Sequence, residues 1–210
     1  MYVTIKRIMD ILLSTLSLIM LAPIFLIIIL AVKIESKGPI FFLQKRVGIH
    51  KNLFNIIKFR TMRTDAPKET PTHLLQDPSQ YITKVGKFLR KTSLDELPQI
   101  FNIIVGHMSI IGPRPALWNQ YDLIAERDKY GANDILPGLT GWAQINGRDE
   151  LPIGVKAKLD GEYVEKLGAR MDVKCFFGTF VRVLKSDGVV EGGVTLSTKS
   201  RSLQQNEHRK

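Results

Sequence analysis

Two adjacent carboxylates, Asp95 and Glu96, are the side chains best suited to chemistry, and they lie in the segment SLDELPQIFN at residues 93–102. Arg90 and Lys91 come just before them, so the two acids have basic neighbours. Such a pair suits two tasks: holding a divalent metal by oxygen ligands, or supplying a carboxylate nucleophile for covalent catalysis. The structural alternative is that both acids lie in the first turn of a helix and only complement its dipole.

The same segment carries a signal for its local fold. Ser93 and Glu96 have the spacing of a capping box, which predicts that Ser93 caps a helix. Pro98 lacks a backbone donor and disfavours a helix interior, so a second prediction starts the regular helix nearer Leu97. In that second arrangement both carboxylates are exposed at the N-terminal end of the helix.

Two further segments offer cations to a phosphate group. Residues 53–60, LFNIIKFR, predict a strand with Lys58 and Arg60 on one face, since residues two apart point the same way. The sequence GPRP at 112–115 restricts the backbone around Arg114, and a rigidly held guanidinium is a good bidentate ligand for phosphate. The alternatives are attraction of the strand cations to anionic lipid headgroups and a solvated surface turn at Arg114.

A glycine-rich segment, PGLTGWAQINGR at residues 137–148, supplies Trp142 and Arg148 as candidate substrate-binding residues. It has neither the ending of a P-loop nor the spacing of a dinucleotide fingerprint. Backbone donors and a stacked ring could hold a nucleotide there, but the spacing alone favours a tryptophan in the core. His107 has no partner at ligand spacing and is interpreted as structural.

Two amphipathic helices are predicted around these segments. Residues 81–91 have apolar side chains at helical spacing, namely Ile82, Val85, Phe88 and Leu89. Residues 172–184 have an apolar stripe, Val173, Phe176, Phe177, Phe180 and Leu184, opposite Lys174, Gly178, Arg182 and Lys185. A basic helix with an aromatic face is typical of a membrane interface, and packing on the core is the alternative.

The first part of the chain predicts a membrane anchor. Residues 8–32 are almost continuously apolar, and about 20 such residues are enough to cross a bilayer as a helix. Basic residues flank the segment on both sides, so the charge rule gives no orientation. Pro23 lies near its middle and favours a kink. A spanning helix and a broken helix that re-enters one leaflet therefore both remain open on charge and proline alone.

Composition limits the class of protein. The chain has 210 residues, a formal net charge of +10 and a single cysteine, Cys175, which excludes an internal disulfide. Its length allows one domain with a core, and its ordinary charged and apolar fractions exclude wholesale disorder and a polytopic membrane protein. The positive charge predicts anionic partners, which at this level are nucleic acid, anionic lipid or phosphorylated substrates.

Taken together, the motifs resemble one family. The chain resembles the bacterial sugar transferases, the small monotopic phosphoglycosyl transferases, in five segments that occur in the family's order. These are the apolar start with its proline, KFRTM at 58–62, SLDELPQIFN at 93–102, MSIIGPRP at 108–115 and PGLTGWAQINGR at 137–148. The resemblance covers about residues 6–189. It implies an α/β, mostly helical fold with a re-entrant membrane helix and a small cytoplasmic catalytic domain carrying interfacial amphipathic helices. Ala22-Pro23 replaces the Ser-Pro often found at the family's helix break.

The resemblance also implies a reaction and a cellular location. A UDP-sugar gives its sugar-1-phosphate to undecaprenyl phosphate and releases UMP, as the first membrane step of capsule, O-antigen or glycoprotein glycan synthesis. The expected sugar is an N-acetylated amino-sugar. The expected location is the cytoplasmic face of the inner membrane, with residues 1–36 as the anchor, 37–189 as the catalytic domain and 190–210 as a disordered tail. Nucleic acid is not an expected partner, and the sequence makes no prediction of oligomeric state.

By the same resemblance Asp95 is the nucleophile and Glu96 is its partner acid, associated with Mg²⁺. Asp172 matches a polar active-site position and is a second candidate metal ligand. The cations that match the family's phosphate-handling residues are Lys58, Arg60, Arg90 and Arg114. The competing hypothesis is a membrane-anchored basic protein that binds anionic lipid without chemistry, which leaves the Asp95-Glu96 segment without a role.

Overall fold

The structure is a computed structural model that describes residues 1–66, 78–147 and 151–185. Arg148 and the predicted tail at 190–210 lie outside these ranges. The helices are α1 (Tyr2–Glu35), α2 (Lys84–Thr92), α3 (Gln99–Val105), α4 (Tyr121–Asp128), α5 (Trp142–Asn146), α6 (Ile153–Glu165) and α7 (Ala169–Lys185). The strands are β1 (Phe41–Val47), β2 (Leu53–Phe59), β3 (Ser109–Ile111) and β4 (Gly138–Thr140). The prediction of a mostly helical chain with a few strands is confirmed.

The strands form two small sheets that support the centre of the molecule. β1 and β2 are an antiparallel hairpin in which Phe41 pairs with Phe59 and Val47 with Leu53. β3 and β4 are parallel, with Ser109 opposite Gly138. The predicted strand at 53–60 is confirmed as β2, which ends at Phe59 and so leaves Arg60 beyond the strand.

The α1 helix runs for 34 residues through Pro23 without interruption. At 1.5 Å per residue it is about 51 Å long, well above the roughly 30 Å of a bilayer's hydrocarbon core. Among the described residues it is the one helix long and apolar enough to cross a membrane. Most of its large apolar side chains are exposed, which indicates membrane association. The re-entrant path stays a prediction.

Both ends of α1 are fixed to the rest of the molecule. Near the N-terminal end, Arg7 donates hydrogen bonds of 2.7 and 2.9 Å to the backbone carbonyls of residues 103–104 in the last turn of α3. Asp10 accepts from a backbone N–H of β3 at 3.1 Å. At the C-terminal end, Glu35 accepts from the backbone N–H of Val85 at 3.0 Å. The helix therefore lies along the body instead of leaving it at one point.

The α7 helix presents its aromatic side outward. Phe176, Phe177 and Phe180 are 41%, 64% and 54% exposed. The basic side packs on the body, where Arg182 Nε donates to the carbonyl of Ile145 at 2.7 Å. Packing of the aromatic stripe on the core is therefore wrong for these three residues. The inward side carries Met171 and Cys175 in the core, so the helix packs on the body and also turns aromatic side chains outward, as expected of a surface that meets lipid.

The second predicted amphipathic helix, α2, is confirmed with a shifted start. It begins at Lys84, because Thr83 caps it by accepting from the N–H of Gly86 at 2.9 Å. Ile82 therefore lies outside the helix, in an isolated bridge to Met62. Leu89 packs between α1 and β2 with Phe25, Ile28, Val32 and Phe59, in an apolar cluster that joins the anchor to the hairpin.

Glycines let the β3 and β4 segments approach closely. A Cβ on Gly138 would overlap the backbone of Gly112, and a Cβ on Gly141 would overlap the carbonyl of Gly112. The N–H of Gly138 donates to the carbonyl of Pro113 at 2.9 Å, which fixes the start of the Pro-Arg-Pro turn. The glycines at 112, 138 and 141 are thus explained by backbone packing that holds the turn around Arg114.

This packing predicts a stability difference between two glycine variants. Gly138→Ala is expected to lower the free energy of unfolding by about 1–3 kcal/mol, because the added methyl group has no space and must displace backbone. Gly154→Ala is the control, since a Cβ at this position in α6 meets nothing within 4 Å. It is expected to raise stability by about 0.5–1 kcal/mol through helix propensity. Chemical denaturation in detergent measures both, and equal effects would contradict the packing explanation.

Candidate active site

The two carboxylates lie in a tight turn between α2 and α3. Ser93 ends α2 in the left-handed region at φ 57°, and Leu94–Glu96 forms a single 3-10 turn. The predicted capping box is wrong, because Ser93 has no side-chain capping bond and Pro98 occupies the N-cap of α3. The predicted exposure of the acids is also wrong, since Asp95 is only 9% exposed.

Glu96 is held between two cations. Lys58 Nζ lies 2.7 Å from Glu96 Oε1, and Arg114 Nη2 lies 2.6 Å from the same oxygen. Arg114 Nη1 reaches Oε2 at 3.3 Å, so the guanidinium contacts both oxygens. Burial raises the pKa of Glu96, but the charges of Arg114 and Lys58 outweigh it and hold that pKa well below its usual range. Glu96 is therefore ionised at neutral pH.

Asp95 has a different environment beside the same cations. Its Oδ2 lies 4.0 Å from Lys58 Nζ, which is too long for a hydrogen bond. Burial raises the pKa of the Asp95 carboxyl, the charge of Glu96 adds to this, and Lys58, Arg90 and Arg114 oppose it. The pKa of Asp95 is thus raised while that of Glu96 is lowered, and such divergence is typical of acids with different roles in one site.

Each cation near the pair is placed by a different element. Lys58 projects from β2, and Arg114 projects from the turn after β3. Arg90, in the last turn of α2, donates through Nε to Thr61 Oγ1 at 2.8 Å while its charge acts on Asp95. The solvated-turn alternative for Arg114 is wrong, because its side chain is committed to Glu96.

Arg60 does not join this group. Its Nη1 and Nη2 donate to the carbonyls of Lys37 and Ser36 at 2.6 and 2.7 Å, and the residue is 6% exposed. The prediction that Lys58 and Arg60 act from one strand face is therefore wrong. Arg60 instead closes the C-terminal end of α1 onto the hairpin.

Asp172 lies at another place in the structure, at the start of α7. Its Oδ2 accepts from Tyr2 Oη at 2.6 Å and from Lys6 Nζ at 2.7 Å, and its Oδ1 accepts from Tyr163 Oη at 2.6 Å. These three donors tie the first turns of α1 to α7 and α6. The structure brings Asp172 together with this network and not with Glu96.

Trp142 is partly buried against the core cluster of α6 and α7. Its indole N–H donates to Glu162 at 3.1 Å, and Lys174 Nζ lies 4.4 Å from its ring centroid. These contacts favour the core interpretation of Trp142 over nucleotide stacking. His107 packs its ring 5.5 Å from that of Phe54, as expected of a structural histidine.

One positioning residue has no role in the sequence-based predictions. Asn102 on α3 is 1% exposed, accepts from the N–H of Ile57 at 3.0 Å and donates to the carbonyl of Asn55 at 2.8 Å. It fastens α3 to β2 one residue before Lys58. The sequence feature that could have identified Asn102 is its position as an amide in an otherwise apolar segment, IFNII. An amide buried in such a segment needs hydrogen-bond partners, which indicates a structural role.

The acids suit a divalent ion in one particular mode. Within the described ranges no cluster of three His, Cys, Asp or Glu side chains is close enough to hold a metal. Mg²⁺ is nevertheless commonly bound through one or two carboxylates together with substrate phosphates and water. The ionised Glu96 provides one such carboxylate, so this residue fits the ion in the presence of a phosphorylated substrate.

Comparisons with known proteins identify the family of this chain. The family model for bacterial sugar transferases matches residues 1–186. The uncharacterized sugar transferase EpsL of Bacillus subtilis (strain 168) is 37% identical over 184 residues, covering 88% of this chain and 89% of the relative.

Two relatives carry named substrates. The UDP-glucose:undecaprenyl-phosphate glucose-1-phosphate transferase of Escherichia coli (strain K12) is 41% identical over 182 residues, or 83% of this chain and 39% of the relative. The UDP-N-acetylgalactosamine-undecaprenyl-phosphate N-acetylgalactosaminephosphotransferase of Aeromonas hydrophila is 36% identical over 193 residues. This match covers 89% of this chain and 45% of the relative. The chain spans less than half the length of these two proteins. On the family match and the full-length similarity to the Bacillus protein, the chain belongs to the bacterial sugar transferase family.

Proposed function

We propose that the protein transfers a sugar-1-phosphate from a UDP-sugar to undecaprenyl phosphate and releases UMP. The observation that carries the proposal is the arrangement of Asp95 and Glu96: a buried carboxylate 4.0 Å from Lys58, beside an ionised one that Lys58 and Arg114 hold in place. The names of the relatives support the two substrates. The alternative, a protein that binds anionic lipid and catalyses no reaction, does not explain why Asp95, Glu96, Lys58 and Arg114 are brought together.

The proposed reaction has two displacements at one phosphorus atom. Asp95 attacks the β-phosphorus of the UDP-sugar, the bond from that phosphorus to the bridging oxygen breaks, and UMP leaves with the electron pair. A phosphate oxygen of the acceptor then attacks the same phosphorus, and the bond to Asp95 breaks, which restores the carboxylate. The products are UMP and a polyprenyl diphosphate sugar, so atoms and charge balance across the two steps.

The chain's own cations reduce the charge repulsion in these steps. A carboxylate that approaches a diphosphate meets a negative charge, and catalysis of phosphoryl transfer consists largely of positioning and charge neutralisation. The charges of Lys58, Arg90 and Arg114 all favour the ionised form of Asp95, and these cations come from three different elements, so their charge is already in place. Glu96 would hold Mg²⁺ together with the substrate phosphates, and the ion would supply further neutralisation of the phosphate oxygens.

The proposed membrane arrangement is monotopic, on the cytoplasmic face of the inner membrane. Its support is that the body contacts α1 near both ends, through Arg7 and Asp10 at one end and Glu35 at the other. A helix that crossed the bilayer would carry one of these ends to the far side, away from the body. The outward aromatic residues of α7 supply a second apolar contact with lipid.

The sugar is proposed to be an N-acetylated amino-sugar, and a capsule, O-antigen or glycoprotein glycan is the proposed destination. Purified protein in detergent with Mg²⁺, undecaprenyl phosphate and a panel of UDP-sugars tests the reaction through UMP release. We expect UMP with at least one N-acetylamino-sugar donor and a matching lipid-linked product. UMP from UDP-glucose alone would contradict the sugar assignment, and no UMP from any donor would contradict the function.

A further inference from the structure

An apolar groove lies between α1 and α2, outside the charged site. Its α1 wall is formed by Ile27, Ile28 and Ala31, its α2 wall by Lys84, Val85 and Phe88, and its volume is about 380 Å³. Apart from Lys84 the lining is apolar, so the groove offers few polar partners to a sugar or a nucleotide. Ile27 and Phe88 are 65% and 59% exposed, which leaves the groove open to the surroundings of the anchor.

The groove is directly connected to the candidate active site. Leu89 lines its floor and also belongs to the apolar cluster against which Leu94 and Leu97 pack. These two leucines flank Asp95 and Glu96 in the chain. The next residue of α2, Arg90, exerts its charge on Asp95. From Val85 to Arg90 the helix rises about 8 Å, so the groove lies on the same short helix as one of the cations that act on Asp95.

We infer that this groove holds the isoprenoid chain of the polyprenyl phosphate acceptor, with its phosphate directed along α2 toward Arg90 and Asp95. The inference rests on the proposed function, because it concerns the second substrate of that reaction. An isoprenoid chain is apolar throughout and suits a lining that is apolar except for Lys84. Its phosphate is a monoester with up to two negative charges, and the basic residues along α2 complement it: Lys84, Lys87, Arg90 and Lys91.

An ordinary phospholipid is the competing occupant, and the same observations disfavour it. Its two acyl chains belong to a phosphodiester, which carries a single negative charge on its oxygens and is a weaker nucleophile toward the phosphorus bound to Asp95 than a phosphate monoester. A groove that leads to the nucleophile positions an acceptor more usefully than a bystander lipid. Holding the chain near the site also raises the effective concentration of the acceptor phosphate there.

Filling the groove tests the inference through kinetics. Ala31→Phe is expected to raise KM for undecaprenyl phosphate about tenfold, because several methylene contacts are lost, while KM for the UDP-sugar stays the same. A five-carbon prenyl phosphate, whose chain is shorter than the rise of about 8 Å between Arg90 and Val85, should show little change in its KM. Phe88→Ala, a change at an exposed side chain, should raise the same KM severalfold without affecting folding. The matched control is Leu26→Phe, on the same helix at a 58% exposed position outside the groove.

Photo-cross-linking tests occupancy without any turnover. A polyprenyl phosphate with a photoreactive group in its chain, added without UDP-sugar, should label residues 27–31 and 84–89. Excess undecaprenyl phosphate should compete for this label, and equal amounts of phosphatidylglycerol should not. If the groove is labelled but the protein releases no UMP, the proposed function is contradicted and the assignment of the groove is not.

Three results would overturn the groove assignment. One is UMP production by a protein that the probe does not label in the groove. Another is equal competition by phosphatidylglycerol. The third is an unchanged KM in Ala31→Phe, or an equal rise for the long and short acceptors, because either means that the chain does not lie there.

Discussion

Asp95→Asn is expected to lower UMP release by at least about a thousandfold. The amide keeps the shape of the side chain but cannot attack phosphorus as a carboxylate does, so neither displacement can begin. The expected loss is large because Glu96 cannot take over: Lys58 and Arg114 hold both of its oxygens. The matched control is Asp134→Asn, at an exposed aspartate 3.3 Å from His50, which should leave the rate within about twofold.

The identity of the nucleophile has a covalent signature. With UDP-sugar labelled in the β-phosphate and no acceptor, the wild-type protein should retain label on Asp95 after denaturation. Asp95→Asn should retain none, whereas Glu96→Gln should still retain some, since it loses a charge partner and not the attacking atom. Label on Glu96, or full activity in Asp95→Asn, would disprove the assignment.

The pH dependence of the reaction provides a further readout of the same carboxyl. Burial raises the pKa of Asp95 above its ordinary value of 3.8, and only the ionised form attacks. Activity should therefore be full well above that raised pKa and should fall as the pH drops through it. The acid limb of kcat/KM, measured by UMP release, should lie above pH 3.8, and a limb at or below this value would show that another group controls the rate.

Sequence reasoning located the elements that depend on local patterns. Strand β2 and helices α2 and α7 are predictable from sequence, because the spacing of apolar residues that identifies a strand or a helix is visible within a few consecutive residues. The Pro-Arg-Pro turn was predicted to fix Arg114 for the same reason, since proline acts on its immediate neighbours. What the sequence could not supply was the partner of each cation. Lys58 and Glu96 are 38 residues apart, and only the packing of α3 on β2 brings them together.

The errors have the same origin. Arg60 resembles Lys58 locally, but the end of α1 offers it two carbonyls from residues far away in the chain. The metal role of Asp172 stays a prediction, but the three donors that contact it come from the beginning of α1 and from α6. The capping-box pattern at Ser93 is local, but the left-handed turn that ends α2 replaces it. In each case the contacts of the side chain are set by residues far away in the sequence. A short stretch of sequence does not show which of these residues will be nearby.

The second large effect concerns a buried ion pair that joins α4 to α6. Arg127 donates through Nε and Nη2 to Asp160 Oδ2 at 2.8 and 2.6 Å, and the two side chains are 4% and 0% exposed. Asp160→Leu is expected to lower the free energy of unfolding by about 3–5 kcal/mol, because it leaves the Arg127 charge buried without its partner. Arg127→Met should cost a similar amount by leaving the Asp160 charge unpaired.

The double variant Arg127→Met/Asp160→Leu separates the two explanations of such a loss. If the cost comes from a stranded charge, removing both charges should restore most of the stability, since apolar side chains of similar volume can replace a buried pair at little net cost. Chemical denaturation followed by tryptophan fluorescence measures the cycle. The control is Lys51→Met at the exposed pair with Asp128, which should barely move the unfolding midpoint. A double variant no more stable than the worse single variant would instead show that the pair's specific geometry supports the α4–α6 packing.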